Sequence, residues 1–179
     1  LGDAAQQPML LGMRQRYYLM TEAVEKHAGS IHWECQDFGF QYSMEVYFAD
    51  FFNTNWQTRV YDWRLADFIF VPHCISMVYF SVRNETGGDH WSSIAYAERE
   101  YLPPIVEYAR NHPAHQRYNG ANFFLVYAMD LGRQDFPGVL EMTKTWSAGT
   151  LTGRASWLDE HRPWISPFDL PLSEGCYEE

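Results

Sequence analysis

Two short runs constrain this chain more than any other feature. Residues 68–72 read Phe-Ile-Phe-Val-Pro, and residues 123–129 read Phe-Phe-Leu-Val-Tyr-Ala-Met. A strand with one wet face alternates apolar and polar side chains. These runs are apolar almost throughout, so both of their faces must be covered. Pro72 stops the first run because it cannot donate to a ladder. Asn119-Gly120 and Asp130-Leu131-Gly132 frame the second with turn residues. The expected class is α/β: a Rossmann-like, mostly parallel sheet with helices on both faces.

The intervening sequence offers the helices. Met13, Tyr17, Met20 and Val24 recur at three-to-four spacing, which predicts an amphipathic helix over 13–28 stopped by Gly29. A short extended piece is expected over 31–35. Met44, Tyr47, Phe48, Phe51 and Phe52 form a broad apolar face, a second helix over 42–52. The stretch 75–82, Ile-Ser-Met-Val-Tyr-Phe-Ser-Val, fits a strand or the start of a helix, and 83–90 reads as a loop punctuated by Gly87-Gly88. A long helical pattern covers 91–111, with Pro103-Pro104 ending one helix at Tyr101 and opening the next. Residues 139–146 read as helix, and 164–172 as an extended exit interrupted by prolines. There is no internal repeat or linker.

Composition narrows the function classes. A chain of 179 residues can bury one core without disulfides or metals. With 13 basic against 23 acidic residues the net charge is −10. That balance, without a basic cluster, disfavours nucleic acid and anionic membrane surfaces as partners. No apolar segment has the length of a membrane span. Cys35, Cys74 and Cys176 are widely spaced and allow at most one bridge. Asn84-Glu85-Thr86 is a glycosylation acceptor pattern. The chain begins at Leu1 rather than Met, as where an N-terminal segment has been removed or left out, so a signal, transit peptide or anchor stays open. The 7 Trp, 12 Tyr and 12 Phe serve mainly as core, with stacking on sugar rings as the second use.

No phosphate-binding Gly-rich loop and no Gly-x-Ser-x-Gly elbow is present. Candidate chemistry is therefore sought at strand ends, where open α/β sheets bind ligands. His73 follows the first run and Asp130 the second, so both are candidates for a polar ligand, a surface His and an Asp turn being the plain alternatives. In Gly-Gly-Asp-His-Trp, Asp89 and His90 could orient a hydroxyl while Trp91 stacks on a sugar, but an Asp N-cap explains Asp89 more simply. His112 and His115, with Glu107 or Asp130, form a conceivable metal set. Two solvated loop histidines are the favoured reading, so no metal is assigned.

The order of segments resembles the exostosin family of glycosyltransferases. Tyr42, Glu45, Thr58, Ala66, Asp67, Phe68, Phe70, Val71 and Pro72 match that family's Tyr-x-x-Glu helix and Ala-Asp-x-Phe-x-Val-Pro strand. Asn119, Gly120, Phe124, Asp130 and Gly132 match its later strand and Asp-x-Gly, and 164–171 resembles its closing strand. The resemblance runs from about residue 41 to 171. It implies one half of a GT-B type enzyme, the acceptor-side Rossmann-like half over 41–179, with 1–40 as an N-terminal helical extension. The donor half is not in this sequence, so no cofactor is expected in this chain. Nucleotide sugar would bind only with a second domain.

Two departures from the family bear on activity: the absent donor half, and Asn122-Phe123 in place of the family's Asp-His. The implied function is sugar transfer from a nucleotide sugar to a glycan acceptor, with this half not active alone. The acceptor-face candidates are His73, Arg117, Asn119, Asn122 and Asp130, with Asp89 and His90 secondary; no catalytic residue is assigned. The alternatives are a non-catalytic subunit of a larger assembly, with protein partners, and a carbohydrate-binding module. The family implies the secretory pathway, the Golgi lumen in particular, and an organelle-targeted chain is the other option.

Overall fold

A computed structural model describes residues 16–27, 41–129, 135–150 and 170–171. Its elements, in chain order, are β1 (Tyr17–Leu19), α1 (Thr21–His27), a 3₁₀ turn (Gln41–Ser43) and α2 (Met44–Thr54). A second 3₁₀ turn (Trp63–Leu65), β2 (Phe68–Phe70), α3 (Ile75–Glu85), α4 (His90–Tyr96) and a π turn (Ala97–Tyr101) follow. The chain continues with α5 (Leu102–Asn111), α6 (Pro113–Tyr118), β3 (Phe123–Tyr127), α7 (Pro137–Met142), β4 (Ser147–Thr150) and β5 (Leu170–Pro171).

The strands form one sheet in the order β1-β2-β3-β4-β5, and all pairings are parallel. This is the Rossmann-like α/β class expected from the two apolar runs. Side-chain alternation divides the core in two. Ile69, Phe123, Leu125 and Tyr127 face a large cluster built with Met20, Ala23, Val24, Leu102, Ile105, Val106 and Trp146. Tyr17, Leu19, Phe70 and Val126 face the other way, onto Phe52 with Phe48 and Ala49 of α2. On that thinner side the Phe52 and Phe70 rings lie 4.3 Å apart, and the Tyr17 hydroxyl shares its proton between the carbonyls of Phe52 and Asn55.

Three expectations are corrected. The helix expected over 13–28 is divided: Tyr17 to Leu19 pair with Phe68 to Phe70 as an edge strand, and the helix begins only at Thr21. Residues 17–27 thus belong to the sheet and its core rather than to an N-terminal helical extension, because strand pairing, a long-range contact, overrides the local period. The ambiguous stretch at 75–82 is helix, and that helix runs through Glu85 into the expected loop. The expected helix over 139–146 ends at Met142, and Ser147 to Thr150 pair with β3 as a strand. The extended piece expected at 31–35 lies outside the described residues.

From His90 to Asn111 the chain is helical without a break. Pro103 and Pro104 cannot donate to the carbonyls four residues back, those of Arg99 and Glu100, and the π turn falls there. The Tyr101 hydroxyl meets Cys74 at the carboxyl end of β2, so Tyr101 marks the level of the sheet's edge. After it, α5 packs into the core beside the sheet. Before it, α4 runs beyond that edge, paired antiparallel with α3, which brings Tyr79 to His90. Burial in α3 is confined to Ile75, Ser76, Met77, Val78 and Tyr79. The α3–α4 pair is therefore an arm standing past the carboxyl edge.

Candidate functional site

The carboxyl edge gathers a buried polar cluster, and Glu45 is its centre. Glu45 occupies the first turn of α2 at the head of a buried stripe that continues through Phe48, Ala49 and Phe52. Its carboxylate is 1% exposed and reaches across to the start of α3. Oε2 accepts from Ser76 N at 3.0 Å. Oε1 accepts from the Ser76 hydroxyl at 2.7 Å and from Ala128 N, just past β3, at 3.0 Å. One carboxylate thereby ties α2, α3 and β3 together.

Burial pushes the Glu45 carboxyl up to about 7, and the hydrogen bonds from Ser76 and Ala128 pull the other way. Burial is the larger influence, so the folded protein favours the protonated carboxyl more than water does.

The remaining amides at the head of α3 are also occupied. Cys74 N donates to the Tyr101 hydroxyl at 3.0 Å, and Ile75 N donates to His73 Nδ1 at 3.3 Å. Because Nδ1 accepts from Ile75, the 3.8 Å approach of Glu45 Oε2 to the same nitrogen is a contact between neighbours rather than an ion pair. The His73 ring also packs on Tyr127, with centroids 5.1 Å apart. Cys74 is disulfide-bonded. The Tyr101 hydroxyl, 3.4 Å from Cys74 Sγ, is then the donor to sulfur, and burial pushes that phenol up.

The exposed N–H groups at a helix start attract anions, and in βα turns of Rossmann-like proteins they commonly hold phosphate. Here side chains of the protein fill that place: Tyr101, His73 and Glu45 accept from three successive amides. Glu45 supplies acceptor oxygens of the kind a phosphate would otherwise bring.

The sequence candidates separate into three groups. His73 lies at the carboxyl edge but is 2% exposed, so it positions the β2–α3 turn and does not face solvent. Asp130 lies outside the described residues, directly after Met129, the last described residue beyond β3. Arg117, Asn119 and Asn122 belong to the opposite edge. Arg117 is exposed near the end of α6, Asn119 caps that helix in the left-handed conformation at φ 50°, and the Asn122 carbonyl accepts from Ile69 N where β3 begins. The length of β3, roughly 17 Å for a five-residue strand, separates them from His73. A single acceptor face made of all five is thus not formed.

Asp89 caps α4, its carboxylate accepting from Trp91 N and from the Ser92 hydroxyl, which holds it below the usual carboxylate range. His90 Nδ1 pairs with the Tyr79 hydroxyl at 2.7 Å. The two belong to the arm, as cap and anchor. His112 and His115 are not the solvated loop pair expected. His112 Nδ1 accepts from Ala114 N to cap α6, and its ring lies between Tyr18 and Trp63. His115 packs on Phe123 and Trp146. Among the described residues no group of three His, Cys, Asp or Glu side chains could hold a metal ion, and no helix is long and apolar enough to cross a membrane.

Glu45, Ser76 and Tyr101 are the residues that sequence reasoning did not place in the site. Glu45 carried a signal, being an ionisable residue at the first position of an apolar stripe. Compared with known proteins, the chain matches no family, no characterised protein and no solved structure.

Proposed function

We propose that this chain is the acceptor-side half of an exostosin-like glycosyltransferase, which moves a sugar from a nucleotide sugar onto a glycan hydroxyl. In this reading the nucleotide sugar is held by a second α/β unit, and this half serves the acceptor. One observation carries the reading: the start of α3, where a nucleotide-binding half would hold its diphosphate, is filled by Glu45. An acceptor half has no need of a phosphate site. Glu45 is also the glutamate matched in the Tyr-x-x-Glu motif, so one residue links the resemblance to the geometry.

Two further points support it. A disulfide at Cys74 fits an oxidising compartment such as the secretory lumen. Asn122-Phe123, the departure from the family's Asp-His, lies at the amino end of β3, far from the carboxyl edge. In this reading Asp130, from the matched Asp-x-Gly, is the candidate for the acceptor hydroxyl, and His73 holds the β2–α3 turn.

Titration calorimetry on the purified chain tests this. Uridine diphosphate and nucleotide sugars are expected to give no heat of binding. Neutral oligosaccharides are expected to bind, and Asp130→Asn to weaken them. Tight nucleotide binding by this chain would overturn the acceptor-side assignment. Absence of binding to any glycan would favour the non-catalytic subunit.

A further inference from the structure

The proposed function does not use the outer half of the α3–α4 arm. Its tip carries Trp91, which is 77% exposed. An indole left in water forgoes a large burial gain, yet this one is held on an ordered backbone. Asp89 caps the turn from which Trp91 projects, and His90, fixed by Tyr79, packs edge-on against the indole at 5.0 Å. Arg83 donates to the same Tyr79 hydroxyl, bracing the end of α3. Beside it, Gly87 and Gly88 leave open space: a Cβ at either would meet nothing within 4 Å. An exposed ring with a locked base and a clear approach is a stacking surface.

Its position identifies what would stack there. Trp91 lies ten helical residues before Tyr101, so about 15 Å along the helix separates it from the residue that meets the sheet's carboxyl edge. A ligand reaching from that edge to Trp91 must be extended. Charge selects among extended ligands. Arg83, Glu85 and Asp89 are the charged residues of the tip, one positive against two negative, on a chain of net charge −10. A polyanionic glycan is repelled, whereas the C–H face of a neutral pyranose suits an indole.

We infer that Trp91 is the platform for the distal sugars of a neutral acceptor chain whose reacting end lies at the carboxyl edge. The inference rests on the acceptor-side reading and goes further, to the class and length of the acceptor.

The test compares the parent chain with Trp91→Ala, Trp91→Phe and Trp56→Ala by titration calorimetry. The ligands are neutral hexasaccharides (cello-, xylo- and manno-oligosaccharides), the matching disaccharides, and a heparosan hexasaccharide. At least one neutral hexasaccharide should bind the parent, more tightly than its disaccharide and than heparosan. Trp91→Ala should weaken it by about tenfold, as loss of one ring–ligand contact does. Trp91→Phe should recover part of the loss. Trp56, also exposed, lies at the opposite edge, so Trp56→Ala should bind as the parent does.

If a hexasaccharide binds and Trp91→Ala leaves its affinity unchanged, the platform is wrong while the acceptor-side reading stands. Tighter binding of heparosan would overturn the neutral acceptor. If no glycan binds the parent, both fall. Self-association of the parent that Trp91→Ala abolishes, without change in sugar affinity, would assign the indole to an interface between copies and overturn the inference.

Discussion

At the carboxyl edge of the sheet one carboxylate accepts from three donors on two elements, so Glu45 and its donors are buried as pairs, although the Ser43 hydroxyl two residues before it is buried without a partner. At the amino edge the histidines are enclosed by rings: His112 by Tyr18 and Trp63, His115 by Phe123 and Trp146. There His115 Nε2 and Asn122 Oδ1 are buried without a hydrogen-bond partner. The difference teaches how the two ends divide the work. Hydrogen bonds fix direction, which suits an edge that must present groups to a ligand. Aromatic packing fixes position with less angular demand, which suits an end that only closes the core.

The sharpest break in that contrast is Glu45→Ala. It leaves two backbone amides and the Ser76 hydroxyl buried without their acceptor. A loss of about 3 kcal/mol is expected, each stranded donor costing part of it. In a chain of this length that lowers Tm by roughly 10 °C, as calorimetry would read. A fall no larger than that of a surface substitution would show that the carboxylate does not hold the edge together.

Gly120→Ala is the matching break at the amino edge. Gly120 has φ +75°, and a Cβ there would collide with Trp146 Nε1 and come within 2.8 Å of His115 Nε2. Left-handed strain and overpacking together predict a loss of about 2 kcal/mol. If this edge is held by packing, the loss should appear without change in the glycan affinity assigned to the other edge.

The two edges were not equally legible. β2 and β3 showed in the sequence because their runs are apolar on both faces, a pattern that needs no partner to be recognised. β1 did not, because Tyr17, Met20 and Val24 also fit a helical period, and only pairing with Phe68 to Phe70 decides for strand. β4, Ser-Ala-Gly-Thr, carries almost no strand signal and is fixed by the ladder of β3. The head of α3 was ambiguous because its run has no clear period, and its start is set by acceptors 31 and 27 residues away in sequence, Glu45 and Tyr101. Strand-end reasoning put His73 at the carboxyl edge, where it lies, but did not reveal that its ring is buried. It misplaced Arg117, Asn119 and Asn122 because a framed strand does not reveal which of its frames lies at the ligand edge.

Acid titration separates the edges by sign. Glu45, raised to about 7 from 4.5, binds its proton more readily folded than unfolded. Its contribution is fully present below about pH 4.5 and is lost as pH rises through about 7. His112 and His115 are lowered by burial from 6.5. Theirs is present above about 6.5 and is lost as pH falls through their folded values. Denaturant unfolding between about pH 5 and pH 7 should therefore show opposed trends. Relative to the parent, Glu45→Gln should be worse at the acid end, and His115→Phe better. Equal differences at both ends for Glu45→Gln would mean that Glu45 does not titrate in that window.

The smallest expected effect tests whether charge holds the amino edge at all. Asp67 accepts from Arg16 N at 2.7 Å and faces its guanidinium at 3.3 Å, which holds the carboxyl below the usual range. Both side chains are largely exposed, so solvent screens the pair. The backbone bond from Asp67 N to the Arg16 carbonyl does not depend on the side chain. Asp67→Asn should thus cost about 0.5 kcal/mol, and the cost should shrink further in high salt. A loss as large as that of Gly120→Ala would mean that the joint between β1 and β2 is electrostatic, and the division between a hydrogen-bonded edge and a packed edge would fail.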